Sequence, residues 1–411
     1  MKIVSPRDLD DRFFTYEEPA GLSRVREILR DVRKRGDTAV KEYTKKFDGV
    51  SLDKLKIEKN EIERAYKCTD KEVIVAMNTA AENIEKFAMK QLSQFTDFEE
   101  EIVSGATAGQ RVVPIERVGI YVPGGKFPLI SSVLMCAVPA KLAGVKEILI
   151  CSPPAYKGSI HNAVLAAASI VGVEEVYAVG GAQAIGAMAY GTETISRVDK
   201  IVGPGNTYVT SAKKEVFGEV GIDFIAGPTE LMIIADKTAD PAVITADLLA
   251  QAEHDKDALP ILVTPSSELA EDVTQMIKEQ EIENGGLSIL VKSLDDAIGI
   301  ANKKAPEHME LQVKNAEKYA KKLRNYGSLF IGTYSSEVLG DYSSGLNHTL
   351  PTNTSARYTG GLSVMDFLKL QTTLRVTKEG GRKIGLTAKV LAETEGLQGH
   401  VRSVDVREKV P

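Results

Sequence analysis

The chain has 411 residues, 43% hydrophobic and 26% charged, with a formal net charge of −6. Such a length implies two or more cores, with one domain interrupted by another and room for a cleft between them. The composition excludes extensive disorder and a fibrous repeat, and the acidic balance leaves no basic footprint for nucleic acid, which is not expected as a partner.

The start, MKIVSPRDLDDRFF, turns acidic and polar at once and lacks the apolar stretch of a signal peptide. From there to about residue 110 the pattern is helical: 8–36 and 71–95 carry apolar residues at three- and four-residue intervals among charges, and strand signals are few. From Val118 the pattern changes to short β-branched runs, VGIYV, EILICS, EVYAVG and KIVG, separated by Ala-rich helical stretches. That alternation predicts βαβ units and a parallel sheet. The apolar stretch 133–145 is interrupted by Lys141 and is too short to span a bilayer, so no membrane association and a cytoplasmic location are expected. Three cysteines, Cys68, Cys136 and Cys151, form no CxxC pair, which speaks against a disulfide framework or a Cys-rich zinc site. Cys136, inside VLMCAVPA, reads as a small buried hydrophobe.

A second strand series, LMIIAD (231–236), ILVTP (261–265), LSILV (287–291) and SLFIGT (328–333), begins beyond a boundary near Gly227–Pro228. Two α/β domains are therefore expected rather than one very wide sheet. The stretch 337–367, rich in Gly, Ser, Thr and Asn, reads as a long irregular segment of the functional kind. A last helix, 382–395, leads through Gly396 into a short tail.

Of the five histidines, His161 reads as a helix opener, which leaves His254, His308, His348 and His400 as candidates for chemistry. In DPAVITADLLAQAEHD, Asp240 as N-cap and Pro241 at the first position predict a helix over 241–253. Its inward stripe, Ile244 and Leu248, continues into Gln251 and His254. Taken alone, such a QxxH is explained by two hydrogen-bonded groups at a helix end, since the spacing is common and glutamine an unusual ligand; the functional alternative is an amide oxygen and an imidazole suited to zinc. In APEHMEL, adjacent Glu307 and His308 precede an alternating strand. They could divide proton transfers between them or form a plain ion pair. GDYSSGLNHTLPT places Asp341 and His348 in a glycine-rich loop, and AETEGLQGH places Glu395 and His400 around a glycine helix stop, where capping would also account for them. Three glycine-rich segments, YVPGG, VGGAQAIGAMAYGT and GPGNTYVT, follow strands and could let backbone amides approach phosphate. None is a GxGxxG fingerprint, so a standard Rossmann nucleotide site is not supported.

Taken in order, YVPGG, VGGAQAIGAMAYGT, GPGNTYVT, AGPTEL, AQAEHD, APEHMEL, GDYSSGLNHTLPT and GLQGH resemble the motif series of the histidinol dehydrogenases from about residue 20 to 400. The resemblance implies two incomplete Rossmann-like parallel-sheet domains with a helical N-terminal region and a small C-terminal helical extension. The division expected is an arm over 1–17, a first α/β domain from 18–120 and 230–357, a second over 121–229, and an extension over 370–411 reaching the partner subunit. It further implies a homodimer that oxidises L-histidinol through L-histidinal to L-histidine in histidine biosynthesis, reducing two NAD. One zinc per subunit would be held by Gln251, His254, Asp341 and His400, the last from the other subunit. Glu307 and His308 take the proton-transfer roles. Thr229, Gln251, His254, His308, Asp341, His348, Glu395 and His400 would surround the substrate, while Tyr121, Gln183 and Asn206 would face NAD. The family pattern has serine where this chain has Thr229. The competing readings are a zinc hydrolase of a small amide or ester, with the glycines as structural turns, and a binding protein without catalysis.

Overall fold

The computed structural model describes residues 1–16, 18, 21–124, 128–155, 158–254, 256–280 and 285–410. Gly125 of the YVPGG motif lies outside the described residues.

The chain opens with β1 (Lys2–Val4) and two 3₁₀ turns, then runs through α1 (Leu22–Arg35), α2 (Asp37–Asp48), α3 (Lys59–Cys68) and α4 (Lys71–Leu92) into a hairpin, β2 (Phe98–Val103) and β3 (Ala106–Pro114). Alternation follows: β4 (Arg117–Tyr121), α5 (Ile130–Leu142), β5 (Glu147–Ser152), α6 (Asn162–Ile170), β6 (Glu175–Ala178), α7 (Gly181–Tyr190), β7 (Lys200–Val202), α8 (Thr207–Val216) and β8 (Gly221–Ile222). A second series comprises β9 (Glu230–Ala235), α9 (Pro241–Ala252), β10 (Leu259–Thr264), α10 (Ser267–Lys278), β11 (Leu287–Leu290), α11 (Leu294–Lys304), β12 (His308–Gln312), α12 (Ala316–Ala320) and β13 (Ser328–Ile331). The chain ends with α13 (Glu337–Tyr342), β14 (Leu368–Val376), α14 (Lys378–Thr394) and α15 (Gln398–Glu408).

The first series makes a five-stranded parallel sheet, order β6-β5-β4-β7-β8, and the second a six-stranded parallel sheet, order β1-β11-β10-β9-β12-β13. A three-stranded antiparallel sheet, β14-β3-β2, stands apart from both. The two α/β units expected from the alternation are thus present.

β9 (ELMIIA) is buried along its whole length, as a central strand covered on both faces must be. β12 (HMELQ) is also fully buried but alternates. Met309 and Leu311 enter the apolar core with Met232 and Ile234. His308, Glu310 and Gln312 register with Leu231, Ile233 and Ala235, whose side chains pack beneath α9 with Ile244 and Leu248. A line of polar side chains therefore runs under α9 in an otherwise apolar layer.

Several expectations need correction. The helical pattern over 8–36 resolves into 3₁₀ turns at Pro6–Asp8 and Asp11–Phe14, and α1 starts after Gly21, which sits in the left-handed region. The arm over 1–17 is not merely an arm, because β1 adds an edge strand beside β11. The first helices do not join the domain of 230–357. α1 buries Val25, Ile28, Leu29 and Val32 and packs on α7 and α8, α3 packs on α6 and α4 on α5, so these helices cover the five-stranded sheet. Each such fully buried branched side chain contributes roughly 1.5–3 kcal/mol, which fixes the side on which they pack. Strands β2, β3 and β14 were not expected; the stretch after Gly396, read as a short tail, holds α15, within the helical extension expected over 370–411. The segment 337–367 holds α13 and two 3₁₀ turns. Among the described residues no helix is long and apolar enough to cross a membrane.

Candidate active site

The centre of interest lies at the amino ends of β9 and β12, the two strands between which the order of the six-stranded sheet reverses. α11 stops at Ala305, a left-handed residue with φ +55° whose amide still bonds Ala301 at 2.8 Å. A non-glycine residue there costs about 1–2 kcal/mol. Pro306 follows and turns the chain into β12, so that Glu307 and His308 open the strand buried, at 7% and 3% exposure.

Glu307 is gripped at one oxygen: Oε2 accepts from Thr229 Oγ1 at 2.6 Å and from the Glu230 amide at 2.9 Å. Burial nevertheless pushes its carboxyl up to about 7, against the opposing pull of His308 and these hydrogen bonds. The Glu230 carbonyl lies 3.3 Å from His308 Nδ1, which suits donation from that nitrogen and leaves Nε2 facing the cleft. Three carboxylates surround the ring, with Glu337 at 3.5 Å and Glu307 at 3.7 Å from Nδ1 and Asp341 at 3.3 Å from Nε2. Burial disfavours the charged imidazole, but Glu337, Glu307 and Asp341 outweigh it and raise the proton affinity of His308 well above the usual value. The partners respond unequally. Burial pushes Glu337 up to about 8, whereas for Asp341 burial is outweighed by the close approach of His308, which holds the carboxyl below its ordinary range.

α9 runs back antiparallel to the strands and brings its carboxyl end to the same place. Gln251, fully buried, contacts Thr229 Oγ1 at 2.9 Å. With the amide nitrogen turned toward Glu337, it donates to Oε1 at 2.7 Å and its oxygen keeps the 2.9 Å approach to Thr229. That orientation would ask the one Thr229 hydroxyl proton to serve both Glu307 and Gln251, so we keep the other: Gln251 Nε2 donates to Thr229 Oγ1, which donates to Glu307, and the amide oxygen faces Glu337, as a ligand to a shared cation would. A donor line then runs from Gln251 through Thr229 to Glu307, and the amide oxygen stands beside Glu337. On α13, Glu337 and Asp341 are four residues apart and share a face. Gly340 lets that helix approach Phe330, where a Cβ would collide with the ring, and the same ring stacks on His308 at 6.2 Å between centroids.

His254, Glu337 and Asp341 offer ligand atoms that all lie within 4.8 Å of one another. His308 Nε2 and Asp341 Oδ1 are buried without a well-aligned hydrogen bond, although 3.3 Å apart. An imidazole, two carboxylates and a neighbouring amide form a nitrogen–oxygen donor set of the kind that holds zinc. The residues present therefore fit a divalent cation. His348, whose charged form is disfavoured by burial and by His308 and His254, bonds Ser131 of α5 at 3.0 Å and carries the site to the five-stranded domain.

Within one chain the sequence candidates thus divide. Thr229, Gln251, His254, Glu307, His308, Asp341 and His348 converge. Glu395 and His400 are exposed on the C-terminal helices, which pack on each other and on the hairpin, and they do not join the cluster. Glu337 was missed, although its four-residue spacing from Asp341 was a readable signal.

Tyr121, Gln183 and Asn206 lie at the carboxyl edge of the five-stranded sheet. Tyr121 ends β4, and its hydroxyl accepts from the Gly181 amide at 3.1 Å. Asn206 caps α8, accepting from Tyr208 and Val209 at 3.1 Å. Gln183, 1% exposed, has neither amide atom hydrogen-bonded. Gly203, at φ +112°, follows β7 where any Cβ would strike the Tyr121 carbonyl.

Fold and centre together define an α/β protein of two parallel sheets and a small antiparallel one, with a buried acid–imidazole cluster whose groups suit proton exchange and a cation. Residues 15–408 match the family model described as histidinol dehydrogenase. The chain is 48% identical over 400 residues to the histidinol dehydrogenase of Methanocaldococcus jannaschii, covering 94% of this chain and 92% of the relative. It is 45% identical over 429 residues to that of Clostridium acetobutylicum, covering 100% and 99%. The crystal structure of histidinol dehydrogenase from Elizabethkingia anophelis superposes with a TM-score of 0.92 at 39% identity, covering 99% of this chain and 97% of that one. The chain belongs to the histidinol dehydrogenase family, and is an oxidoreductase by that membership.

Proposed function

We propose that the chain acts in the cytoplasm as a homodimer, oxidising L-histidinol through L-histidinal to L-histidine. The observation that carries this reading is the buried pair Glu307–His308, held by Thr229 and the backbone of Glu230 beside a cation-competent cluster. Gln251, His254, Asp341 and His400 of the partner subunit would hold zinc, with Glu337 alongside. Zinc, when bound, supplies an anchor for the substrate's amino and imidazole nitrogens. NAD, when bound near Tyr121, Gln183 and Asn206, supplies the hydride acceptor, twice per turnover.

The chain's own residues supply the proton chemistry. Oxidation of the alcohol removes a hydride and the hydroxyl proton, and His308 takes that proton. A cation held by Asp341 would offset part of the negative charge that raises the proton affinity of His308, whose Nε2 faces Asp341 and the cleft. The aldehyde must gain water before the second hydride leaves. Glu307, with a carboxyl near 7, is poised to take a proton from that water. Thr229, Gln251 and His348 line the substrate, with Glu395 and His400 reaching the site from the partner subunit. Support for a partner comes from the apolar residues left exposed on β14, α14 and α15: Leu374, Leu386, Val390 and Val406.

Incubation of zinc-replete protein with histidinol and NAD should generate two NADH per histidine formed. Absence of NADH would remove the dehydrogenase reading, and hydrolysis of a small ester or amide in its place would favour a zinc hydrolase.

A further inference from the structure

We infer that Glu310, with Asp247 and Gln312, is a positioning residue that locks β12, α9 and α13, the three elements carrying the cation cluster, against one another. The inference rests on the cation reading above.

All three side chains are buried, at 0%, 9% and 3% exposure respectively. They occupy the α9-facing side of β12 and the inner face of α9, where the registered neighbours are Ile233 and Ala235. Burying carboxylates in such a layer is unfavourable unless their oxygens find donors. Glu310 Oε1 accepts from the Glu337 amide at 2.8 Å. Ser336, at the N-cap of α13, makes no side-chain cap, so a carboxylate from another element does that work. Glu310 Oε2 accepts from Gln312 Nε2 at 2.8 Å, and the same nitrogen reaches Asp247 Oδ2 at 3.2 Å.

Every attachment lies close along the chain to a residue of the centre. Asp247 is one helical turn before Gln251, the Glu337 amide is one turn before Asp341, and Glu310 is two residues beyond His308 on the same strand face. The knot thus sets the distance between the helix bearing Gln251 and His254 and the helix bearing Glu337 and Asp341. Burial and Asp247 push Glu310 up to about 8, consistent with one proton held between the two carboxyls.

The test uses the whole metal-free protein with zinc alone as the probe, measured by competition with a chromogenic chelator. Glu310→Gln keeps an acceptor for the Glu337 amide and gives a donor to Asp247 or to Gln312 Oε1, which has no partner now. Glu310→Met keeps the volume and removes both functions. Glu310→Met should bind zinc at least tenfold more weakly and Glu310→Gln within threefold of the parent. Deuterium uptake in the fragment 335–343 should be about tenfold faster in Glu310→Met only. Parent-like zinc affinity and exchange in Glu310→Met, or equal damage in both variants, overturns the lock. If Glu310→Met does not fold, Gln312→Met carries the same test, with an expected threefold weakening and faster exchange, and parent-like values overturn it. A parent protein that binds no zinc sinks the cation reading, while the exchange measurement still decides the lock.

Discussion

Apart from the edge strand β1, the two parallel sheets share a plan in which the first strand of each series lies inside and the strand order reverses beside it, yet their candidate sites sit at opposite strand ends. On the five-stranded sheet, Tyr121, Gln183 and Asn206 gather at the carboxyl ends of the strands, where α7 and α8 present their amino ends. On the six-stranded sheet, Glu307 and His308 gather at the amino ends, where α9 presents its carboxyl terminus and α13 adds two acids. Helix amino ends favour anions such as a pyrophosphate, and helix carboxyl ends with carboxylates favour cations. One βαβ plan therefore yields two poles, suited to a dinucleotide and to a metal with an amine substrate.

The proton-transfer pair breaks or sharpens this contrast most strongly. His308→Asn should slow oxidation of the alcohol by about 10²–10⁴-fold, and Glu307→Gln should strike the aldehyde step harder by a similar factor. Single-turnover assays started from histidinol and from histidinal separate the two, and equal losses at both steps contradict the division of roles. Because Glu307 must be ionised to activate water, and burial pushes it up to about 7, the aldehyde step should fall about tenfold per pH unit below that value. A flat profile between pH 5 and 7 would remove Glu307 from that role.

The cation pole also carries a stability signature. Glu307 at about 7, and Glu310 and Glu337 at about 8, lie above their ordinary value of 4.5, and His308 is raised as well. The native state therefore holds more protons than the unfolded chain across this window, and stability falls as pH rises through it. The Tm of metal-free protein should decline between pH 6 and 8.5, and bound zinc should flatten that decline. A metal-free Tm that rises over this range would contradict the cluster. Mixing inactive His254→Ala and His400→Ala proteins should restore part of the activity by subunit exchange, and no recovery after verified exchange speaks against a shared site. The smallest effect belongs to the other pole: Gln183→Ala should raise KM for NAD several-fold and leave zinc binding unchanged.

What the sequence made legible is what local chemistry dictates. Asp240 and Pro241 open α9 as their types require, with the Asp240 side chain accepting from the Ala242 amide at 2.8 Å. The β-branched runs became the buried strands of two sheets. What escaped depends on distant partners. Glu337 lies on a six-residue helix whose first amide is held by Glu310, 27 residues earlier, so the Ser- and Gly-rich surroundings read as irregular. β14 alternates Leu368, Leu370, Leu374 and Val376, a strand signal passed over because both of its faces are largely exposed in one chain. The packing of α1 to α4 on the five-stranded sheet is a tertiary choice that amphipathic spacing alone does not make.

The most direct test is a paired titration of the parent and Asp341→Asn with zinc and with NAD. Asp341→Asn should bind zinc about 10²-fold more weakly while NAD affinity stays within twofold, because the sites proposed for the two ligands are built on different sheets. Parent-like zinc affinity in Asp341→Asn, or a parallel loss of both ligands in a protein that remains folded, would contradict the account.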